Sequence, residues 1–264
     1  MALLQARAET GDGALIAFRH RPGPGPLVVF CHPHTGQMAS FMPLLDVWKG
    51  NALVFDRRGY GLSTRGKDPM ITQDADLALL LDRLGIEAAV LIGVAAGGAQ
   101  AAGLAVTAPE RVLALGLVSS FIGLPQSVWL EATGEARPEG DAARRELTAG
   151  FRAGPHFADW AGIAAENVSA GAGEPPQPVT VDVGALSEFS PLMLATGEDD
   201  RLFTPAMLTH ASGLLPEAET HVFAGVAHAP HVENPAVFAT WTDRLVSRAS
   251  AYRPRPPAGR HRPH

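Results

Sequence analysis

The sequence is poor in cysteine, in lysine and in long apolar runs, and each shortage excludes a class of protein. Cys31 is the only cysteine, so the chain forms no internal disulfide and no cysteine-rich metal site. No run approaches the roughly 20 apolar residues that cross a bilayer. The N-terminal residues also lack the apolar core of a signal peptide. We therefore expect a cytoplasmic protein with no membrane segment.

The charge balance argues against a nucleic-acid partner. The formal net charge is -6, and Lys49 and Lys67 are the only lysines. A surface that binds nucleic acid needs clustered basic side chains. The one basic stretch lies in residues 251–264, where its prolines predict a disordered tail. Nothing indicates a metal or organic cofactor, and we expect a small-molecule substrate bound by a monomer or homodimer.

Strand and helix patterns alternate along the chain. Short apolar runs predict strands at 27–31, 52–55, 88–92, 112–118, 191–195 and 220–223. Helical spacing separates them at 41–48 and 74–84, and a last helix begins at Asn234. This alternation predicts an α/β fold, in which a mostly parallel central sheet is flanked by helices. Residues 1–120 and 186–250 are expected to form this core.

One segment interrupts the alternation. Residues 121–185 contain no strong strand pattern, but helical pieces are predicted near 141–152 and 157–167, joined by Gly/Pro-rich connectors. An insertion between two strands of a parallel sheet lies above their carboxyl ends, where such sheets bind ligands. We therefore predict a small helical cap over the binding site.

A glycine-flanked turn is the most informative motif. The sequence Gly-Val-Ala-Ala-Gly-Gly at 93–98 follows an apolar run and opens a stretch of small residues. A strand, a sharp turn and a helix form the setting of G-x-S-x-G, the nucleophile elbow of hydrolytic enzymes. The position that would hold the serine is Ala95.

Four further motifs accompany this turn in a fixed order. They are His-Pro-His-Thr-Gly at 32–36, Asp-Arg-Arg-Gly-Tyr-Gly-Leu-Ser at 56–63, Thr-Gly-Glu-Asp-Asp at 196–200, and Val-Ala-His-Ala-Pro-His at 226–231. Together with the elbow, the chain resembles the α/β-hydrolase fold superfamily over roughly residues 2–248, apart from the cap. The order of nucleophile, acid and histidine matches that fold.

The resemblance implies a role for each motif residue. Ala95 occupies the nucleophile position, Asp200 is the triad acid and His228 is the base. The backbone N–H groups of His34 and Ala96 would stabilise an oxyanion. Three apolar side chains are candidates for substrate contact, and they suit a medium-sized, largely hydrophobic substrate. They are Phe121, Trp129 and Trp160.

Alanine at position 95 leaves three interpretations open. In the first, it replaces a serine, and the chain is an inactive form of a hydrolase of an ester, lactone or thioester. In the second, the alanine is native, and His228 with Asp200 moves protons in an epimerase, lyase or cyclase. In the third, the chain binds a ligand without catalysis. The retained oxyanion loop, Asp200 and His228 favour the first interpretation.

Overall fold

Eight strands form one sheet in the computed structural model, which describes residues 3–68, 70–169 and 179–251. The strands are β1 Leu4–Glu9, β2 Leu15–Arg21, β3 Val28–Cys31, β4 Ala52–Phe55, β5 Ala89–Val94, β6 Val112–Val118, β7 Leu192–Gly197 and β8 Glu219–Phe223. Their order across the sheet is β1-β2-β4-β3-β5-β6-β7-β8. Strand β2 is antiparallel to β1 and β4, and the remaining pairs are parallel.

Helices connect the strands and cover both faces of the sheet. They are α1 Met42–Val47, α2 Gln73–Arg83, α3 Ala96–Thr107, α4 Gln126–Thr133, α5 Ala142–Glu146, α6 Ala149–Arg152, α7 Phe157–Ser169, α8 Val183–Ser187, α9 Pro205–Leu214, α10 Pro230–Glu233 and α11 Pro235–Ala251. Short 3-10 turns, Met38–Phe41 and Pro109–Arg111, precede α1 and β6. The prediction of a mostly parallel sheet flanked by helices is therefore confirmed.

The central strands are buried because helices pack on each side of them. All six residues of β5 are buried, as expected for a strand covered on both faces. One apolar cluster joins Leu91 to the side of the sheet covered by α2 and α3. A second cluster joins Ile92 to Trp241 of α11. Alternate residues of one strand thus contribute to two cores.

The N-terminal hairpin is the part of the sheet that the sequence patterns missed. Strand β1 pairs antiparallel with β2, from Leu4 opposite His20 to Glu9 opposite Leu15. Most residues of β1 are exposed, because it lies at the edge of the sheet. Its polar composition therefore resembles a loop, and only the Asp12-Gly13 turn signals a hairpin.

Five helices, α4 to α8, lie between β6 and β7. Helices α5, α6 and α7 fall where helical pieces are predicted, whereas α4 and α8 are additional. Helix α7 reaches the loop after β3, where Asn167 Nδ2 donates a 3.0 Å hydrogen bond to the carbonyl of Gly36. Residues 170–178 and the predicted tail from 252 onward lie outside the described residues. The division into core and cap stays a prediction.

A buried arginine ties the N-terminal hairpin to the rest of the fold. Arg58 lies 2.6 Å from Asp12 in the hairpin turn and 2.6 Å from Asp76 in α2. Removing it leaves two carboxylates without their cation, so we expect Arg58→Ala to lower the free energy of unfolding by about 3–5 kcal/mol. Exposed Arg83 is the matched control, and Arg83→Ala should change it by less than about 0.5 kcal/mol. Urea unfolding measures both variants, and equal losses would contradict the prediction.

Candidate active site

The turn between β5 and α3 holds Ala95 in an unusual backbone conformation. Its φ is 49° and its ψ is -115°, a backbone conformation that residues other than glycine rarely adopt. Such a conformation costs about 1–3 kcal/mol and persists only where the surroundings impose it. Here the N–H of Ala95 donates to the carbonyl of Val118 at 2.9 Å, and its carbonyl accepts from Gly98 at 3.0 Å.

Neighbouring glycines make this turn possible. A Cβ at Gly93 would lie 2.4 Å from the Cα of Gly98, and one at Gly97 would lie 2.2 Å from the carbonyl oxygen of Cys31. The start of α3 therefore packs directly on backbone, with no space for side chains. The geometry of a nucleophile elbow is complete, but the side chain at its apex is a methyl group.

The loops after β7 and β8 bring Asp200 and His228 together. The Nδ1 atom of His228 lies 2.9 Å from Oδ2 and 3.0 Å from Oδ1 of Asp200. The carboxylate also accepts the backbone N–H groups of Leu202 and Phe203 and the hydroxyl of Thr196. These bonds fix the carboxylate, which in turn orients the imidazole.

The two groups shift each other's pKa. Burial opposes ionisation of Asp200, but the charge and the hydrogen bond of His228 lower its pKa overall. Burial likewise opposes charge on His228, but the carboxylates of Asp200, Glu146 and Glu233 raise its pKa overall. An ionised Asp200 accepts a hydrogen bond from Nδ1–H, which keeps the proton on Nδ1, so neutral His228 presents Nε2 as a base. The pair is therefore able to take up a proton.

A network of hydrogen bonds fixes the loop at 32–36. The Nδ1 atom of His32 donates to the carbonyl of Pro33 at 2.7 Å, and its Nε2 accepts from the backbone N–H of Arg57 at 2.9 Å. Burial and the charge of Arg57 hold the pKa of His32 well below its ordinary value. The ring is therefore neutral and both of its nitrogens are hydrogen-bonded, so His32 has a structural role in the loop.

The two candidate oxyanion donors lie at the same edge of the sheet. Strands β3 and β5 are parallel neighbours, with Cys31 opposite Gly93, so the segments that follow them meet. Ala96 begins α3, and the first N–H groups of a helix have no acceptor within it. The ring of His34 is held by Tyr60, whose hydroxyl lies 2.9 Å from Nδ1. Oxyanion binding by His34 and Ala96 stays a prediction.

The three apolar candidates occupy different surroundings. Trp129 is fully buried, packs on Phe203 and donates through Nε1 to the carbonyl of Phe121. Phe121 also contacts the ring of Phe203. Trp160 packs in a small cluster with Leu147 and Ala229, the residue that follows His228. Trp160 thus approaches the histidine loop, whereas Trp129 lies in the packing between α4 and α9. Substrate contact by any of the three stays a prediction.

Glu146 is a residue that the sequence patterns missed. Its Oε2 accepts a hydrogen bond from the Thr35 hydroxyl at 2.5 Å, and its backbone carbonyl accepts the N–H of His228 at 3.0 Å. Helix α5 thus brings a buried carboxyl between the oxyanion loop and the histidine loop. No motif marks this glutamate, because residues 121–185 contain none of the five motifs that resemble the hydrolase fold.

No other nucleophile replaces the missing hydroxyl among the described residues. Cys31 is fully buried, and burial raises the pKa of its thiol to about 12. Ser119 follows β6 with a φ of 52°, but its side chain is buried and its hydroxyl has no hydrogen-bond partner there. Within the same residues, the side chain of His228 hydrogen-bonds only to Asp200. A nucleophilic role for position 95 stays a prediction.

Comparisons with known proteins agree with this architecture. Residues 26–144 match the family model described as alpha/beta hydrolase fold. Over 114 residues the chain is 37% identical to the dihydrolipoyllysine-residue acetyltransferase component of an acetoin cleaving system from Cupriavidus necator. This match covers 41% of the chain but only 30% of that protein, so the chain spans less than a third of its relative.

Two solved structures cover nearly the whole chain. The enol-lactonase from Burkholderia xenovorans LB400 has a TM-score of 0.73 at 20% identity, covering 92% of this chain and 100% of its own. A thermophilic esterase from Thermogutta terrifontis has a TM-score of 0.72 at 20% identity, covering 94% and 99%. The sheet, its flanking helices and these similarities show that the chain has the α/β-hydrolase fold. None of the described helices is long and apolar enough to span a membrane.

Proposed function

We propose that the chain has the active site of a serine-type hydrolase in which the nucleophile position is occupied by Ala95. The observation that carries the proposal is the strained turn at Ala95, which remains built beside the Asp200–His228 pair. The proposed substrate is a small, largely hydrophobic ester, lactone or thioester, taken up by a monomer or homodimer in the cytoplasm. With alanine in place, the chain would bind such a substrate without cleaving it.

A serine at position 95 would complete a covalent mechanism. Its hydroxyl oxygen would bond to the substrate carbonyl carbon while its proton passes to Nε2 of His228. The backbone N–H groups of His34 and Ala96 would stabilise the resulting oxyanion. Collapse of this intermediate would expel the alcohol or thiol, which takes the proton from His228. Water would then release the acid by the same steps.

A second candidate function needs no nucleophile. His228 is oriented by Asp200, and the charge of Glu146 favours its protonation, so it is equipped to remove a proton from a carbon acid. This arrangement supports an epimerase, lyase or cyclase in which alanine at position 95 is native. Ligand-dependent exchange of a carbon-bound proton with deuterated water, lost in His228→Gln, would favour this function over hydrolysis.

Hydrolysis by the Ala95→Ser variant is the decisive test of the first proposal. Short acyl esters and lactones are the probes, with the unchanged chain measured in parallel. A serine variant that hydrolyses none of them would overturn the proposal. A ligand that binds tightly to both forms without turnover or proton exchange would instead indicate a binding protein.

A further inference from the structure

Glu146 occupies a place that the mechanism above does not use. The residue ends helix α5, is 8% exposed, and contacts two loops of the candidate site. Its carboxyl accepts the hydroxyl of Thr35, next to the oxyanion donor His34. Its carbonyl accepts the backbone N–H of His228. One glutamate thus connects the cap-side helix, the oxyanion loop and the base.

Four titratable groups interact electrostatically with the imidazole of His228. Asp200 comes from the loop after β7, Glu146 from α5, and both Glu233 and His231 from α10. The charges of the three carboxylates favour protonation of His228, in the order Asp200, Glu146 and Glu233. His231 is held uncharged, because burial and His228 lower its pKa to about 3.

The two additional carboxylates are not equivalent. Both oxygens of Glu233 are occupied, since Oε2 accepts the N–H and hydroxyl of Thr148 and Oε1 accepts the N–H of Ala227. Glu146 has a single described hydrogen bond to its carboxyl, from a neutral hydroxyl. Burial raises the pKa of Glu146, whereas the charge of His228 lowers it. Both carboxyls have a raised pKa overall because of burial, but His228 is among the groups that oppose this shift only for Glu146.

We propose that Glu146 is a positioning residue of this site, which fixes α5 against the loop at 32–36 through Thr35 and holds the backbone of His228 through its carbonyl. When His228 accepts a proton, the charge of Glu146 adds to that of Asp200 in favouring the imidazolium. The catalytic meaning of this support depends on the proposed function, but the interaction itself does not.

A titration of His228 tests the interaction in the chain as it exists. Histidine labelled with 13C is followed by NMR as a function of pH, and His228→Gln identifies the resonance. Glu146→Gln should move the midpoint of His228 to lower pH, because it removes a negative charge that favours protonation. Glu135→Gln is the matched control, since Glu135 also accepts a threonine hydroxyl but does not act on His228. An unchanged midpoint in Glu146→Gln overturns the proposal.

A charge-conserving variant and a kinetic measurement extend this test. Glu146→Asp keeps the charge but shortens the side chain, so the midpoint of His228 should stay close to that of the parent. The pH profile of kcat/KM is then measured in the Ala95→Ser background. At low pH, where protonation of His228 limits the rate, Glu146→Gln should raise kcat/KM by about three- to tenfold when each profile is scaled to its own maximum. The acid limb should move because a base with a lower pKa stays neutral to lower pH.

The possible failures are distinguishable. If Ala95→Ser is inactive, the proposed hydrolysis fails, and the titration of His228 in the parent chain still decides the role of Glu146. If Ala95→Ser is active but Glu146→Gln leaves the low-pH part of its kcat/KM profile unchanged, the positioning role fails and the proposed hydrolysis stands. Thermal unfolding of each variant, with Glu146→Asp as the folded reference, excludes a loss caused by misfolding.

Discussion

Replacing Ala95 by serine is expected to raise the rate of ester hydrolysis by about 10⁴- to 10⁶-fold, the range lost when a hydrolase loses a triad residue. Under the proposed function the gain is large, because the nucleophile is the one part of the site that Ala95 removes. The backbone at position 95 already has the conformation of an elbow, and His228 already carries an oriented imidazole.

Release of nitrophenol from short acyl esters measures this gain. Ala99→Ser is the matched control, because it adds a hydroxyl one turn further along α3 and away from the elbow. A phosphonate probe that labels activated serines should react with the Ala95→Ser variant and with neither the parent nor the control. Equal rates in the variant and the control would show that position 95 is not the nucleophile position.

Asparagine at position 200 is expected to remove about 10⁴-fold of the activity gained in the Ala95→Ser background. The backbone N–H groups of Leu202 and Phe203 require an oxygen acceptor, so the amide oxygen would take that place. The amide NH₂ would then point toward Nδ1 of His228 and stabilise the tautomer with its proton on Nε2. In that form Nε2 cannot accept a proton, and the base is lost.

Asp199 provides the control for this change. It is the exposed neighbour of Asp200, so Asp199→Asn should leave kcat within about twofold. Both variants are compared by kcat and by thermal unfolding, which separates loss of the base from loss of the fold. A similar fall in kcat for both would mean that Asp200 has no special part in orienting His228.

The sequence predicts those parts of the site that local patterns encode. The glycines around Ala95 are required by contacts shorter than a side chain allows, so they mark the elbow directly. Asp200 and His228 follow strands at the same edge of a parallel sheet, and that position brings them together. Six of the eight strands coincide with the short runs from which the sequence predicts strands.

Other features depend on contacts between distant segments and leave no local signal. Strand β1 is polar because one edge of it is exposed, so only pairing with β2 defines it. Glu146 enters the site from a short helix whose position relative to Thr35 is set by tertiary packing across more than 100 residues. Trp129 is a large apolar residue of the kind that lines ligand pockets, so the sequence makes it a candidate for substrate contact. Its packing against Phe203 is seen only in the structure.

The methyl group at the apex of the elbow also has a kinetic consequence. In an active hydrolase, a bound ester leaves by two routes, dissociation and turnover, so its occupancy reflects both. Under the proposed function, Ala95 closes the second route, and the residence time of a substrate would be set by koff alone. Equilibrium occupancy would then report true affinity, and a substrate of the proposed class would be recoverable intact from the unchanged chain.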